Sequence, residues 1–225
     1  MSLSSSRASF YGCPTFSFTE HEQDFHGTAD NRNGLRRKDD EGIDQGQAGP
    51  GGNPDGPIGI YAQMVARFSG AEAVIGVDVS GDRLAMARKM GADIALNPRE
   101  VNVQDEVDRI THGAGMDIVV ELTGNRGVVN EASQTLRRGG EMVLVGLYPG
   151  PVEIDLVNNV IYKEATVYGV TGRIMWDTWW TAQSMLLTGR MDISPVITHR
   201  FDLADYDQAF VLAESAASGK ILFTI

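Results

Sequence analysis

Residues 55–79 read DGPIGIYAQMVARFSGAEAVIGVDV and give the clearest indication of the fold. Three apolar side chains recur in it at a spacing of four: Ile60, Met64 and Phe68. This spacing predicts a helix over residues 57–69. The β-branched run that follows predicts a strand over residues 73–79. A glycine turn, a helix and a strand in this order are typical of a parallel α/β protein.

The stretch begins with the second half of a nucleotide-binding glycine loop. Gly56 and Gly59 have the spacing of the last two glycines in GxGxxG, with Pro57 and Ile58 between them. Such glycines bring the backbone close to a pyrophosphate, which lies at the N-terminus of the next helix. Pro54 stands where the first glycine belongs, so the loop by itself also fits an ordinary Gly-Pro turn.

An acidic residue at the end of the predicted strand favours the nucleotide interpretation. Asp78 lies about twenty residues beyond the loop, where a carboxylate accepts hydrogen bonds from the adenosine ribose and repels an extra phosphate. This position predicts NAD rather than NADP as the cofactor. The alternative is that Asp78 only caps the following helix. Arg83 fits either an adenine contact or a solvated helix position.

The rest of the chain continues the alternation of strands and helices. Further strands are predicted over residues 94–96, 117–122, 141–147, 165–170 and 220–225. Further helices are predicted over residues 81–90, 103–111, 127–136, 175–187 and 203–217. This order implies right-handed crossovers and a doubly wound parallel α/β sheet.

Ligands of such sheets bind beyond the carboxyl ends of the strands. The residues at three later strand ends are therefore further candidates for the cofactor site: Leu122, Thr123 and Gly124, then Val145, Gly146 and Leu147, and then Val170, Thr171 and Gly172. Small residues there let a flat nicotinamide ring lie against backbone. The alternative is that glycine follows strands because turns require it.

Residues 1–55 differ in amino-acid composition from the rest of the chain. They are rich in Gly, Ser, Asn, Asp and Arg and have almost no periodic apolar pattern, so we expect them to be largely disordered. The run GQAGPGGNPD before Gly56 cannot form the buried first strand of such a sheet. The sequence thus predicts a sheet without its first central strand and weak NAD binding. It also suggests a truncated or frame-shifted gene, with an N-terminal segment up to residue 55 and an NAD-binding domain from residue 56.

Composition bounds the classes of function. The net charge of −11 and the lack of a basic patch argue against binding to nucleic acid. No apolar run approaches the about 20 residues that a membrane span requires, and no signal peptide is recognisable, so we expect a cytoplasmic protein. The single cysteine, Cys13, excludes an internal disulfide framework.

The runs DGPIGIYAQMVARFSGA, VIGVDVSGDRLAMARKMGAD, DIVVELTGN, GRIMWDTW and DISPVITHRF together resemble the C-terminal half of zinc-dependent medium-chain dehydrogenases. Within that family they are most similar to the branch that acts on L-threonine. The resemblance implies a Rossmann-type domain that binds NAD through the positions of Ile58, Asp78, Arg83, residues 145–147 and residues 170–171. It also implies oxidation of L-threonine, a small secondary alcohol, to 2-amino-3-oxobutanoate. A catalytic zinc and a homotetramer are implied as well, with VEIDL or ATVYGVT at the subunit interface.

The sequence departs from this family in its zinc ligands. Neither a CGTD-like motif nor a GHE motif occurs, so no catalytic or metal-binding residue is assigned. Cys13, His21, Glu22 and His26 form a conceivable but poorly supported ligand set. Two functions therefore stay open: an NAD-dependent dehydrogenase of L-threonine or of a related polyol or alcohol, and a non-catalytic dinucleotide-fold fragment.

Overall fold

The computed structural model of the protein describes residues 7–11, 57–172, 174–214 and 218–225. Its strands are β1 (Arg7–Tyr11), β2 (Ala73–Val77), β3 (Ile94–Leu96), β4 (Met116–Glu121), β5 (Leu136–Leu144), β6 (Thr166–Gly169), β7 (Ile197–Asp202) and β8 (Lys220–Thr224). Its α-helices are α1 (Pro57–Phe68), α2 (Gly81–Lys89), α3 (Val103–Thr111), α4 (Val128–Gln134), α5 (Asp177–Leu187) and α6 (Tyr206–Glu214). Single helical turns cover Val157–Ile161, Ser194–Val196 and Leu203–Asp205.

Six of the strands form one parallel sheet in the order β3-β2-β1-β4-β5-β6. The strand order reverses between β1 and β4, where the chain crosses from one half of the sheet to the other. Connections with helices on both sides of such a reversal make a doubly wound sheet. The predicted fold class is therefore confirmed.

The prediction that the sheet lacks its first central strand is wrong, because β1 occupies that place. Its residues pair in parallel with β2 on one side, from Arg7 opposite Ala73 to Tyr11 opposite Val77, and with β4 on the other. The prediction considered only the residues directly before Gly56, since the first strand of this fold normally leads straight into the glycine loop. Here residues 12–56 separate β1 from α1. Apart from β1, the segment predicted to be disordered lies outside the described residues.

Alternate residues of the central strands face two apolar layers, as the period of two in a strand requires. Val74 and Val120 pack on one face with Ala66 of α1. Ile75 and Val119 pack on the other face, in a larger cluster that includes residues of α3 and α4. Because both faces are covered, β2 and the middle of β4 are apolar, as is typical of parallel sheets.

The junction of α4 and β5 differs from the prediction. A helix was expected through residue 136, whereas α4 ends at Gln134 and β5 already begins at Leu136. The strand continues through a register shift opposite Met116 and Ile118. Gly140 lies in this irregularity, and a Cβ atom there would come within 3.1 Å of the Met116 carbonyl oxygen. Glycine in a strand often marks such a bulge.

The end of the chain forms a second, two-stranded parallel sheet of β7 and β8. The sequence patterns do not predict β7, because ITHRFD has neither strict alternation nor a continuous apolar run. The ring of His199 in β7 stacks on the ring of Phe201, with ring centroids 6.4 Å apart. Trp179 and Trp180 lie in α5 and are exposed rather than packed in the core.

Candidate functional site

The predicted cofactor residues lie along one edge of the six-stranded sheet, at the carboxyl ends of its strands. Asp78 follows β2, residues 145–147 follow β5, and residues 170–171 follow β6. Two strands, β1 and β4, separate β2 from β5. At about 4.8 Å per strand, Asp78 and Val145 are roughly 14 Å apart across the sheet. The edge is therefore long enough for an extended ligand that touches both ends.

The helix α1 begins at Pro57, which has no backbone N–H and is favoured in the first turn of a helix. Ile58 is 63% exposed at this N-terminus, whereas Gly59 is buried beneath it. A helix N-terminus attracts anions through its unpaired N–H groups. Gly56, the remaining residue of the predicted loop, lies outside the described residues.

Asp78 takes part in the turn that leads from β2 into α2. Its Oδ1 accepts a hydrogen bond of 2.6 Å from the backbone N–H of Ser80, the residue that precedes α2. This bond uses one of the two carboxylate oxygens. It shapes the turn before α2 and is not a cap on the N–H groups of the helix, which begins at Gly81. Arg83 is buried in α2, which excludes the solvated position considered for it; its contact with an adenine stays a prediction.

The chain segments after β4 and β5 come into direct backbone contact through two glycines. A Cβ atom on Gly146 would lie 2.7 Å from the Cα atom of Gly124. Gly124 has a φ of +63°, and a Cβ atom there would lie 2.5 Å from the carbonyl oxygen of Leu147. Only glycine fits both positions, and the side chain of Leu147 is 86% exposed beside them. At these two glycines the edge of the sheet therefore exposes backbone atoms and no side chain.

A buried carboxylate lies directly beneath this contact, and sequence reasoning missed it. Glu121, the last residue of β4, is fully buried. Its Oε1 accepts hydrogen bonds from the N–H (2.7 Å) and hydroxyl (2.5 Å) of Thr123, and its Oε2 accepts one from the hydroxyl of Tyr148. Burial and the neighbouring Glu121 raise the pKa of Tyr148 far above its ordinary value. The only signal in the sequence is the acid Glu121 between the apolar residues Val120 and Leu122.

The end of β6 continues the same edge. The N–H of Val170 donates a hydrogen bond of 2.9 Å to the carbonyl oxygen of Leu144 in β5. The side chains of Val170 and Thr171 are exposed. The structure thus brings the candidates from β5 and β6 together, whereas Asp78 and Arg83 lie at the other half of the sheet.

Among residues 7–11, 57–172, 174–214 and 218–225, no three His, Cys, Asp or Glu side chains lie close enough together to hold a metal ion. The conceivable set of Cys13, His21, Glu22 and His26 lies outside these ranges. The described residues therefore do not fit a zinc ion. Within the same ranges no helix is long and apolar enough to cross a membrane.

A doubly wound parallel sheet with glycine-rich strand ends and an acid after its second strand is the arrangement of a dinucleotide-binding dehydrogenase domain. The chain belongs to the zinc-binding dehydrogenase family, whose model matches residues 57–187. It is 40% identical over 171 residues to the L-threonine 3-dehydrogenase of Pyrococcus abyssi, covering 76% of this chain and 49% of that protein. The resemblance to threonine dehydrogenases is thereby confirmed.

Solved structures agree with this assignment. An alcohol dehydrogenase from Thermotoga maritima matches with a TM-score of 0.68 and 34% identity, over 74% of this chain and 47% of that one. The 2R,3R-butanediol dehydrogenase of Bacillus subtilis matches 98% of this chain and 51% of its own, with a TM-score of 0.73 and 23% identity, and shows the fold alone. The chain spans about half the length of the relatives that it matches.

Proposed function

We propose that this chain binds NAD along the carboxyl edge of its six-stranded sheet and serves an enzyme that oxidises L-threonine to 2-amino-3-oxobutanoate. The observation that carries the proposal is the alignment along one edge of Asp78, the N-terminus of α1, and the contact of Gly124 with Gly146. The name of the Pyrococcus relative supports L-threonine as the substrate. The central strand β1 removes the physical reason for which weak binding was expected.

The adenosine half of the cofactor belongs at β2 in this proposal. The carboxylate of Asp78 would accept hydrogen bonds from the ribose hydroxyls and repel a phosphate at the same place, which selects NAD over NADP. Arg83, buried one turn into α2, would border the adenine. The N-terminus of α1 would face the pyrophosphate, next to the end of β1.

The nicotinamide half belongs at the ends of β4, β5 and β6. Backbone groups of residues 145–147 and 170–171 would hold its carboxamide, and the contact between Gly124 and Gly146 would support the flat ring. Bound NAD supplies a hydride acceptor. The described residues contribute binding and orientation, and no zinc-dependent step is assigned to them.

A homo-oligomer is part of the proposal. Among the strands that the structure describes, the edge strand β6 pairs only with β5, and Val167 and Tyr168 are both exposed. An unpaired edge of this kind can accept a strand from a second subunit. The segment ATVYGVT, named for its resemblance to a family interface, contains this strand.

Calorimetric titration of the whole chain with NAD and NADP tests the cofactor. We expect tighter binding of NAD, and we expect Asp78→Asn to reduce the preference for NAD by about ten- to hundred-fold, because a charged hydrogen bond contributes roughly 1.5–3 kcal/mol. Asparagine retains an oxygen for the Ser80 amide. The matched control is Asp82→Asn, an exposed residue of the first turn of α2, which should leave the preference unchanged.

Turnover is followed at the nicotinamide absorbance with L-threonine, with a polyol as the competing substrate and zinc added. Oxidation of L-threonine would support the full proposal, and a preference for the polyol would reassign the substrate. Binding of NAD without turnover would identify a cofactor-binding module without its own chemistry. Failure to bind either nucleotide would refute the proposal.

A further inference from the structure

Glu121 is a fully buried carboxylate at the end of a central strand, directly after the apolar residues Val119 and Val120. Removing a carboxylate from water is costly unless hydrogen bonds replace its hydration. A strand that needed only to fill the core would place an apolar residue here. The bonds that Glu121 makes therefore indicate what its carboxylate does.

These bonds join two chain segments that are distant in sequence. The side chain holds the turn after β4 through the N–H and hydroxyl of Thr123, and it holds the segment after β5 through the hydroxyl of Tyr148. The backbone carbonyl of Glu121 also accepts hydrogen bonds from Val145 (2.9 Å) and Gly146 (3.2 Å). One residue thus fixes both segments of the edge against each other.

The hydrogen-bonding capacity of an ionised carboxylate suits these partners. It has only acceptors, and the groups around it are donors. The network extends further, because the Thr123 hydroxyl accepts a hydrogen bond of 2.8 Å from the N–H of Asn125, whose side chain in turn accepts one from Gly127 at the start of α4. The turn between β4 and α4 is therefore built outward from Glu121.

We propose that Glu121 is a positioning residue, which holds the backbone of residues 123–124 against residues 145–148 and so shapes the surface for the nicotinamide end of the cofactor. The proposal rests on the NAD-binding function proposed above. It adds that affinity for the nicotinamide half depends on a carboxylate that does not itself touch the ligand, with Thr123 and Tyr148 as the groups through which it acts.

The test compares NAD with ADP-ribose, which lacks the nicotinamide ring, in calorimetric titrations of the wild-type chain, Glu121→Gln, Tyr148→Phe and the double variant. We expect Glu121→Gln to weaken the affinity for NAD about ten-fold. The affinity for ADP-ribose should stay within about two-fold of that of the wild-type chain. Tyr148→Phe should weaken the affinity for NAD less than Glu121→Gln does. The fold-loss of NAD affinity in the double variant should be smaller than the product of the two single fold-losses, because both substitutions act through one carboxylate.

The matched control is Asp117→Asn, at the opposite end of β4, where the carboxylate bonds Arg137 at 2.5 Å. It lies four positions before Glu121 in the strand, at about 3.3 Å per position. We expect both ligands to bind this variant as they bind wild type. If Glu121→Gln does not fold, Tyr148→Phe carries the same comparison, since Thr123 still donates two hydrogen bonds to Oε1 of the carboxylate.

A selective loss of NAD affinity supports the positioning role. Equal weakening of both ligands, or no change in either, overturns it while the NAD-binding proposal stands. A wild-type chain that binds neither ligand refutes the NAD-binding proposal and the positioning role with it. Measured affinities of the wild-type chain therefore separate the two failures.

Discussion

Replacing Gly146 by alanine adds one methyl group where the segments after β4 and β5 lie closest. The new Cβ atom would stand 2.7 Å from the Cα atom of Gly124 and 2.8 Å from Oε2 of Glu121. Nonbonded carbon atoms prefer a separation of about 3.5–4.0 Å. The two segments would have to move apart by roughly 1 Å to admit the methyl group.

The neighbours at this position cannot rotate out of the way, because Gly124 contributes backbone and the carboxylate of Glu121 is held by three hydrogen bonds. Overpacking of a core typically costs 1–3 kcal/mol. We expect Gly146→Ala to lower the free energy of unfolding by about 3 kcal/mol, because the strain also falls on the buried carboxylate and its donors.

Urea unfolding followed by circular dichroism measures this loss from the midpoint at unchanged slope. The matched control is Gly150→Ala in the same segment, where the nearest atom to a new Cβ, Nη1 of Arg126, is 4.0 Å away. The free energy of unfolding of this control should stay within about 0.5 kcal/mol of that of the wild-type chain. If both variants unfold at the same urea concentration, the close backbone contact does not exist, and the proposed surface for the nicotinamide loses its basis.

Two further predictions concern single polar side chains. In an alkaline absorbance titration, Tyr148 should keep its proton above pH 10, where an ordinary tyrosine ionises, because burial and Glu121 raise its pKa. Since the unfolded chain releases that proton near pH 10 and the folded chain retains it, the stability that Tyr148 contributes should fall as pH rises above 10; Tyr148→Phe should remove this part of the pH dependence. Lys163→Met should cost about 2–3 kcal/mol, because the ammonium donates hydrogen bonds to three carbonyl oxygens at the end of α4, those of residues 133, 134 and 136. Lys89→Met, at the exposed end of α2, should change the midpoint little, and equal effects of the two lysine variants would contradict this role.

Local patterns predicted the elements that depend on near neighbours in the chain. The helix α1 and the strand β2 follow from apolar spacing and β-branched residues within one stretch. Asn102 directly precedes α3, and its side chain accepts a hydrogen bond from the N–H of Asp105, a bond between near neighbours in the chain. Ser80 likewise precedes α2, but its hydroxyl makes no capping bond.

Features that depend on distant partners escaped prediction. The strand β1 is only five residues long and becomes central because β2 and β4 pair with it from far along the chain. The strand β7 likewise takes its partner, β8, from the end of the chain. Glu121 looked like an isolated acid in an apolar run, since Tyr148 reaches it from 27 residues away.

Periodicity and ordered motifs predicted the parallel α/β class, the position of Asp78 after a strand, and the family, because each of these signals lies within a short stretch of the chain. The packing of the whole chain was needed to show which segment fills the centre of the sheet, that the ends of β4 and β5 meet through Gly124 and Gly146, and that Glu121 is bonded to both of them. These features depend on hydrogen bonds and close backbone contacts between segments that lie far apart in the sequence.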